Sequence, residues 1–308
     1  MIVKETQVIK LTLIPFALIV CLVSNAFGQA LNSSMSVGAR NVALGNADMA
    51  EPHDIGSLYG NPATIAMLGS PTVLVNHVQG SDSQLQEDVA FPVIYTKSQM
   101  LAFGAEYYSV GVLTGSLDQR RVSLGYNVAF ASKINRTMSL GGLVLFQRGY
   151  VAHLNAAASA SYALGFDYKP SPDLSYGLTL TGLGTGVDFA TANSIVTPIQ
   201  TVLSRALTVS AVMRFPTEAS FRPAFMTIAL ASQKVFSVSG VNYMGGVEFY
   251  PTNFLTLRFG YNAGPAGARQ AYGIGLSRGV LALDMAISSV SSGNSKTLLD
   301  QLSLSVKF

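Results

Sequence analysis

From about residue 71 the chain repeats one pattern, in which apolar and small or polar side chains alternate one by one. Val122, Leu124, Tyr126, Val128 and Phe130 oppose Ser123, Gly125, Asn127 and Ala129. Leu174, Tyr176, Leu178 and Leu180 oppose Ser175, Gly177, Thr179 and Thr181. Leu255, Leu257, Phe259 and Tyr261 oppose Thr256, Arg258 and Gly260, and Leu281, Leu283, Met285 and Ile287 oppose Ala282, Asp284 and Ala286. At the end Leu302, Leu304, Val306 and Phe308 oppose Ser303, Ser305 and Lys307. Successive side chains of a strand point to opposite faces, so each stretch is a strand with one greasy side. The pattern predicts 14 strands, over 71–78, 88–97, 100–113, 120–134, 137–151, 158–169, 173–185, 201–215, 224–236, 241–250, 254–263, 269–278, 281–291 and 297–308.

Composition decides what the greasy sides face. The chain is 49% hydrophobic and 11% charged, with mean hydropathy +0.38. Soluble domains carry about 25% charge, so a soluble sandwich is disfavoured and lipid is the expected solvent of the apolar faces. A charge at the bilayer midplane costs roughly 2–4 kcal/mol. Arg258 and Asp284 therefore place the polar faces inward, and Glu106, Asp167, Arg214 and Glu248 are expected to face the lumen too. The fold class predicted is all-β, a 14-stranded antiparallel transmembrane β-barrel.

Connections expected to be tight (near 98, 135, 171, 252 and 279) alternate with longer ones at 79–87, 187–200 and 261–270, as short periplasmic turns alternate with longer external loops. The Phe215–Pro223 connection is a long exception. An even strand count puts both barrel ends in the periplasm. Tryptophan is absent, so interface belts are expected from Tyr107, Tyr108, Tyr150, Tyr168, Phe249, Tyr250 and Tyr261.

Ahead of the barrel, Lys4 and Lys10 precede an apolar run from Leu11 to Val23, followed by Ala26-Phe27-Gly28. The run is shorter than the roughly 20 residues of a spanning helix. It reads as a secretory signal cleaved after Gly28. Val20 before Cys21 argues against lipidation, and Cys21 is the one cysteine, so the mature chain has no disulfide and no thiol chemistry. The expected organisation is a signal peptide at 1–28, an N-terminal segment at 29–70 and the barrel at 71–308, located in the outer membrane of a Gram-negative cell.

Residues 31–70 lack the alternation. Ser36 to Ala50 is rich in small residues and suits a short, closely packed helix. Glu51-Pro52-His53-Asp54 interrupts it, and Leu58-Tyr59-Gly60-Asn61-Pro62-Ala63 forms a turn before a second apolar piece. The pattern Gly38-Ala39-Arg40, Ala43-Leu44-Gly45-Asn46-Ala47, Asp54, Leu58 to Ala63 resembles the N-terminal signature of the FadL-like barrel superfamily. It is most similar to the PorV/PorQ branch associated with type IX secretion, departing from it at Gly60, where that family often has Trp. The resemblance implies that the segment folds into the lumen as a hatch, with Gly38, Arg40, Gly45, Asn46, Asn61 and Pro62 as its motif. It also implies that Phe308, on a terminal aromatic strand, is read by the barrel-assembly machinery. Arg40 either pairs with an inward carboxylate or is solvated at the periplasmic mouth. Asp48, Glu51, His53 and Asp54 fit no structural metal spacing and are expected to cap turns or to be solvated.

No chemistry of catalysis stands out. His53, His77 and His153 are the only histidines, and none has a nucleophile beside it in sequence. Gly182 to Gly186 resembles a phosphate loop, but no helix follows to supply amides, so a strand end is expected. Asp82, Glu87 and Asp88 lack calcium-loop spacing and read as a solvated loop. Net charge is +3 without a basic run, which argues against nucleic acid. The expected protein is non-enzymatic and without cofactors, its partners being outer-membrane lipid, the assembly machinery and secretion subunits or cargo. The PorV/PorQ resemblance implies a docking, shuttle or attachment role in secretion, with loop 187–200 (Ile195, Val196, Pro198, Ile199) as the contact surface. The alternative is a FadL-like transporter of hydrophobic small molecules, and a purely structural role is a third reading.

Overall fold

Alternating strands leave a row of unpaired backbone groups at each sheet edge, which lipid cannot hydrate. In the computed structural model the chain answers by closing on itself. The structure describes residues 38–80, 84–114, 117–151, 157–184, 187–189, 199–201, 205–215, 225–265, 267–292 and 295–308. The expected signal peptide, Cys21, His153 and most of the 187–200 loop lie outside these residues.

The strands are β1 (Thr72–Gly80), β2 (Leu85–Tyr95), β3 (Gln99–Thr114), β4 (Leu117–Lys133), β5 (Met138–Val151), β6 (Ala157–Ser171) and β7 (Leu174–Gly184). A small hairpin follows, β8 (Val187–Phe189) with β9 (Ile199–Thr201). Then come β10 (Ala206–Phe215), β11 (Met226–Val235), β12 (Asn242–Phe249), β13 (Leu255–Gly264), β14 (Gly267–Arg278), β15 (Leu281–Ser292) and β16 (Ser295–Lys307). Each barrel strand pairs antiparallel with its chain neighbour, β7 pairs with β10 across the hairpin, and β1 closes on β16. The result is a closed barrel of 14 strands. Each strand expected from the alternation is present, with ends shifted by a few residues.

The two faces separate as expected. Asp284 is 4% exposed while its neighbour Met285 is 55% exposed. Arg258, Glu106, Asp167 and Glu248 are buried on the inner side, and Leu257, Phe259, Leu230, Ile274 and Ile287 are exposed on the outer. A continuous apolar surface of this extent is the signature of a lipid-facing wall. The barrel strands run from 8 residues in β12 to 17 in β4. About 9–11 tilted residues cross the hydrocarbon, so the β3–β4 side stands well above the β11–β12 side.

Four expectations are corrected. Only residues 81–84 separate β1 from β2, and only 265–266 separate β13 from β14, so these connections are short because the strands themselves continue beyond the lipid. Glu87 and Asp88 consequently belong to β2, with Asp88 buried and facing inward. The 187–200 stretch is not all loop, since it contributes the β8–β9 hairpin. Tyr250 does not join an outer belt, because its hydroxyl turns inward to donate to Glu248 Oε2 at 2.6 Å.

Candidate functional site

Glycine-rich, small-residue sequence cannot build a large apolar helix, and the segment before the barrel does not attempt one. Two short helices form, α1 (Ala39–Ala43) and α2 (Ser57–Gly60), followed by a 3₁₀ turn at Pro62–Met67. The helix expected across Ser36–Ala50 is cut to α1, because Gly45 (φ +66°) and Asn46 (φ +64°) turn into the left-handed region just after it.

This segment packs on the inner face of the wall and draws on all 14 barrel strands through three apolar clusters, hydrogen bonds and glycine contacts. Ile55, Leu58, Ile65, Ala66 and Leu68 meet Leu74, Ala90, Met100, Ala129, Leu143 and Ala163. Ala39, Val42 and Ala43 meet Ala271 and Ala286, and Ala47 and Ala50 meet Val212 and Ala229. The wall is shaped to receive it. A Cβ on Gly141 of β5 would lie 2.5 Å from the Pro62 carbonyl, and one on Gly246 of β12 would lie 2.5 Å from the Leu44 carbonyl oxygen. Real Cβ contacts are not that close, so these glycines are where backbone touches backbone.

Arg40 settles the alternative left open by the sequence. It is 3% exposed and forks onto Glu248, with Nε donating to Oε1 at 3.1 Å and Nη2 to Oε2 at 2.7 Å. Its Nη1 donates to Asp48 Oδ2 at 3.0 Å. Glu248 is shared. Arg258 Nε donates to Glu248 Oε1 at 2.6 Å, and Arg258 Nη1 donates to Asp284 Oδ1 at 2.5 Å. Glu51 pairs with Arg214. Three strands, β12, β13 and β15, thus hold the segment through one buried ionic network. Burial alone would lower the Arg40 pKa, but Glu248 and Asp48 outweigh it and keep the guanidinium charged. The expectation of solvated or capping Asp48 and Glu51 is corrected, since both are buried ion-pair members, Asp48 with Arg40 of the same segment and Glu51 with Arg214 of the wall. His53 and the three acids beside it do not converge, and the described residues contain no group of three or more metal-ligating side chains.

Of the other motif residues, Asn61 and Pro62 lie away from Arg40, while Gly38, Gly45 and Asn46 flank α1. Asn61 caps the 3₁₀ turn by accepting from Ala63 N–H at 3.1 Å, and its Nδ2 donates to the Phe166 carbonyl at 3.1 Å. Pro62 occupies the first position of that turn, where its missing N–H costs nothing. Gly38 (φ +107°) precedes α1, whose Ala39 N–H donates to Ser303 Oγ at 2.6 Å. Phe308 is 72% exposed beside the start of β1, its N–H donating to the Pro71 carbonyl at 3.0 Å. Gly182 and Gly184 close β7, as a strand end should.

Asp54 gives the segment a pH dependence. Burial, and next the Asp284 carboxylate, push its pKa up to about 6 from 3.8, while Oδ1 accepts from Gly56 N–H at 2.8 Å. An acid with a raised folded pKa binds more protons folded than unfolded. Packing of the segment should therefore weaken as pH rises from about 4 to 6. Asp54→Asn keeps the acceptor and removes the charge, so above pH 6 it should stabilise the folded chain by up to about 3 kcal/mol. Thermal unfolding in detergent from about pH 4 to 8 reads this directly, and an unaltered pH profile in the variant would contradict it.

A polar row runs around the inner wall beside the segment. Register partners Thr256, Gly275, Asp284, Ser303, Asn76, Asp88, Glu106, Gly125, Gln147 and Ser159 follow one another from β13 through β16 and β1 to β6. The sequence reading missed its continuity, because cross-strand register is invisible without the closed sheet. Outside the barrel, where the β1–β2 register ends at Leu74 opposite Ala90 while β2 runs on to Tyr95, an apolar cavity of about 520 Å³ opens between Pro71, Phe91, Pro92, Val93 and Phe308.

No protein-family model matches the chain, and no curated protein sequence matches it. Solved structures do. The toluene transporter TbuX of Ralstonia pickettii is 14% identical with a TM-score of 0.65, the match covering 88% of this chain and 98% of that one. The P. putida toluene transporter TodX is 12% identical with a TM-score of 0.69, covering 91% and 99%. A Pseudomonas aeruginosa FadL homologue is 12% identical with a TM-score of 0.62, covering 92% and 100%. At these identities the likeness is one of fold, that of a FadL-type β-barrel.

Proposed function

We propose that this chain passes small hydrophobic molecules across the outer membrane, with its N-terminal segment as a hatch in the lumen. One observation carries the reading. A segment anchored to the wall by a buried ionic network crosses the barrel interior, while an open apolar hollow lies on the outer surface where β1 and β2 stop pairing. Pro92 has no N–H to extend that pairing, and the β2–β3 register slips between Pro92 and Ile94. A straight aqueous pore would need neither feature. An apolar solute gains by leaving sideways into lipid, since each buried methylene is worth about 0.8 kcal/mol. Two of the neighbours, TbuX and TodX, are toluene transporters, which supports the same solute class.

The secretion-docking reading suggested by the Gly38–Ala63 pattern finds no support among these neighbours. The described part of that pattern faces the lumen wall, away from any external partner. The transport reading also makes the chain non-enzymatic.

The test is uptake of labelled toluene by a Gram-negative host producing the full-length precursor, compared with the same host carrying the empty vector. Faster, saturable uptake is expected. Equal uptake, with the barrel present in the outer membrane, would rule the reading out.

A further inference from the structure

Charge is unevenly placed on the outer wall. Among the described residues from β10 to β13 the one acid is Glu248, and it is buried against the lumen. The outer face of β10 and β11 carries two cations instead. Leu207 and Lys234 are register partners on that face. Phe236 N–H donates to the Arg205 carbonyl at 2.8 Å, so the ladder runs on and sets Arg205 opposite Phe236. Arg205 and Lys234 are then diagonal neighbours, roughly 7–8 Å apart and within reach of each other's long side chains.

These charges are not neutralised. The Arg205 guanidinium has no carboxylate or hydrogen-bond partner among the described residues. Lys234 Nζ donates to the Val238 and Gly240 carbonyls at 2.7 and 2.9 Å. Both acceptors are uncharged, so the ammonium keeps its charge and its third donor, held in place by the turn.

A second observation is where the pair stands. The β11–β12 turn lies at the barrel end away from Thr72 and Phe308. β11 and β12 have 10 and 8 residues, no more than the about 9–11 that cross the hydrocarbon. Their turn therefore sits at the lipid head groups rather than above them. Phe236, Val238 and Tyr243 are exposed beside the two cations, and Val209 and Leu230 are exposed on the wall below.

We propose that Arg205 and Lys234, with Phe236, Val238 and Tyr243, form a docking surface for a phosphorylated lipid of the outer leaflet. An unneutralised cation pair calls for an anion, and the flat guanidinium fork matches phosphate oxygens. The apolar side chains around and below the pair suit acyl chains, which a free phosphate does not have and an acidic protein would not need at this depth. The lipid would seat the short side of the wall at a fixed depth. The surface rests on the barrel standing in an outer membrane and does not depend on which solute it carries.

The experiment is native mass spectrometry of the full chain in neutral detergent, with added diphosphorylated lipid A or the same lipid stripped of its phosphates. A one-to-one adduct is expected, at least about tenfold tighter with the phosphates than without. Arg205→Gln should weaken it roughly fivefold, and Arg205→Gln with Lys234→Gln roughly 25-fold. The single variant removes no described contact of the fold, so its loss reads binding alone. Arg148→Gln removes another exposed positive charge, one lying over the Tyr150 ring on β5, and should bind as the parent does. Heat-modifiable gel mobility confirms that each variant remains a closed barrel. Equal binding of the two lipids, undiminished binding by the double variant, an equal loss in Arg148→Gln, or displacement by inorganic phosphate at the lipid's own concentration would each overturn the assignment.

Discussion

Arg40→Ala is expected to free the N-terminal segment from the wall while leaving the barrel closed. Among the described residues of the segment, the guanidinium is the group that hydrogen-bonds to Glu248, and it does so twice, at 3.1 and 2.7 Å. Its removal strands Asp48 inside, and burial already raises the Asp48 pKa against the pull of Arg40. It also leaves Glu248 with Arg258 and Tyr250 alone. Breaking one partner of a buried pair costs about 3–5 kcal/mol. The remaining contacts of α1 are small alanines and one valine, too little apolar area to offset that loss. Arg40→Lys should restore little, because an ammonium cannot fork onto a carboxylate. Planar-bilayer conductance and chymotrypsin cleavage near Tyr59 measure the outcome, and both should rise in Arg40→Ala. Conductance and cleavage equal to the parent would show that the ionic network does not hold the segment. Arg40→Ala combined with Asp48→Asn should recover part of the loss, since the orphaned charge is then gone.

What was legible in the sequence follows from what is local. Leu255, Leu257, Phe259 and Tyr261 announce a strand by their own spacing, and Arg258 among them tells which face avoids lipid. Summed over fourteen such stretches, this gives barrel, strand count and orientation of the faces. Polar runs deceive the same reasoning. Gln86, Glu87 and Asp88 look like a solvated loop because their apolar neighbours are few, yet a tall barrel continues its strands beyond the lipid. Partnership is not legible at all. Arg40 and Glu248 lie 208 residues apart, and Glu51 meets Arg214 only after ten strands have been laid down. The inward glycines are visible in the alternation, but their meaning as an imprint of the segment needs both surfaces together.

That imprint gives the second large effect, and it separates two adjacent residues of one strand. Gly245 and Gly246 lie side by side in β12, and the pleat turns them to opposite faces. A Cβ on Gly245 would meet only Leu230 Cδ2, at 3.6 Å, an ordinary contact on the lipid side. A Cβ on Gly246 would lie 2.5 Å from the Leu44 carbonyl oxygen and 2.9 Å from its Cα and Cβ. Leu44 is at the end of α1, followed at once by Gly45, whose backbone is already in the left-handed region and pressed against Tyr261. The segment therefore has no easy way to yield. Gly245→Val should be neutral or slightly stabilising, since a β-branched residue suits a strand and a lipid-facing wall. Gly246→Val should cost more than the about 1–3 kcal/mol of ordinary overpacking, because the clash is with backbone rather than with a movable side chain. It should also raise conductance as Arg40→Ala does, by lifting α1 off β12 and breaking the Arg40–Glu248 fork beside it. Thermal unfolding and bilayer conductance of the two variants together decide the matter. If both glycines tolerate valine equally, α1 does not rest on this wall.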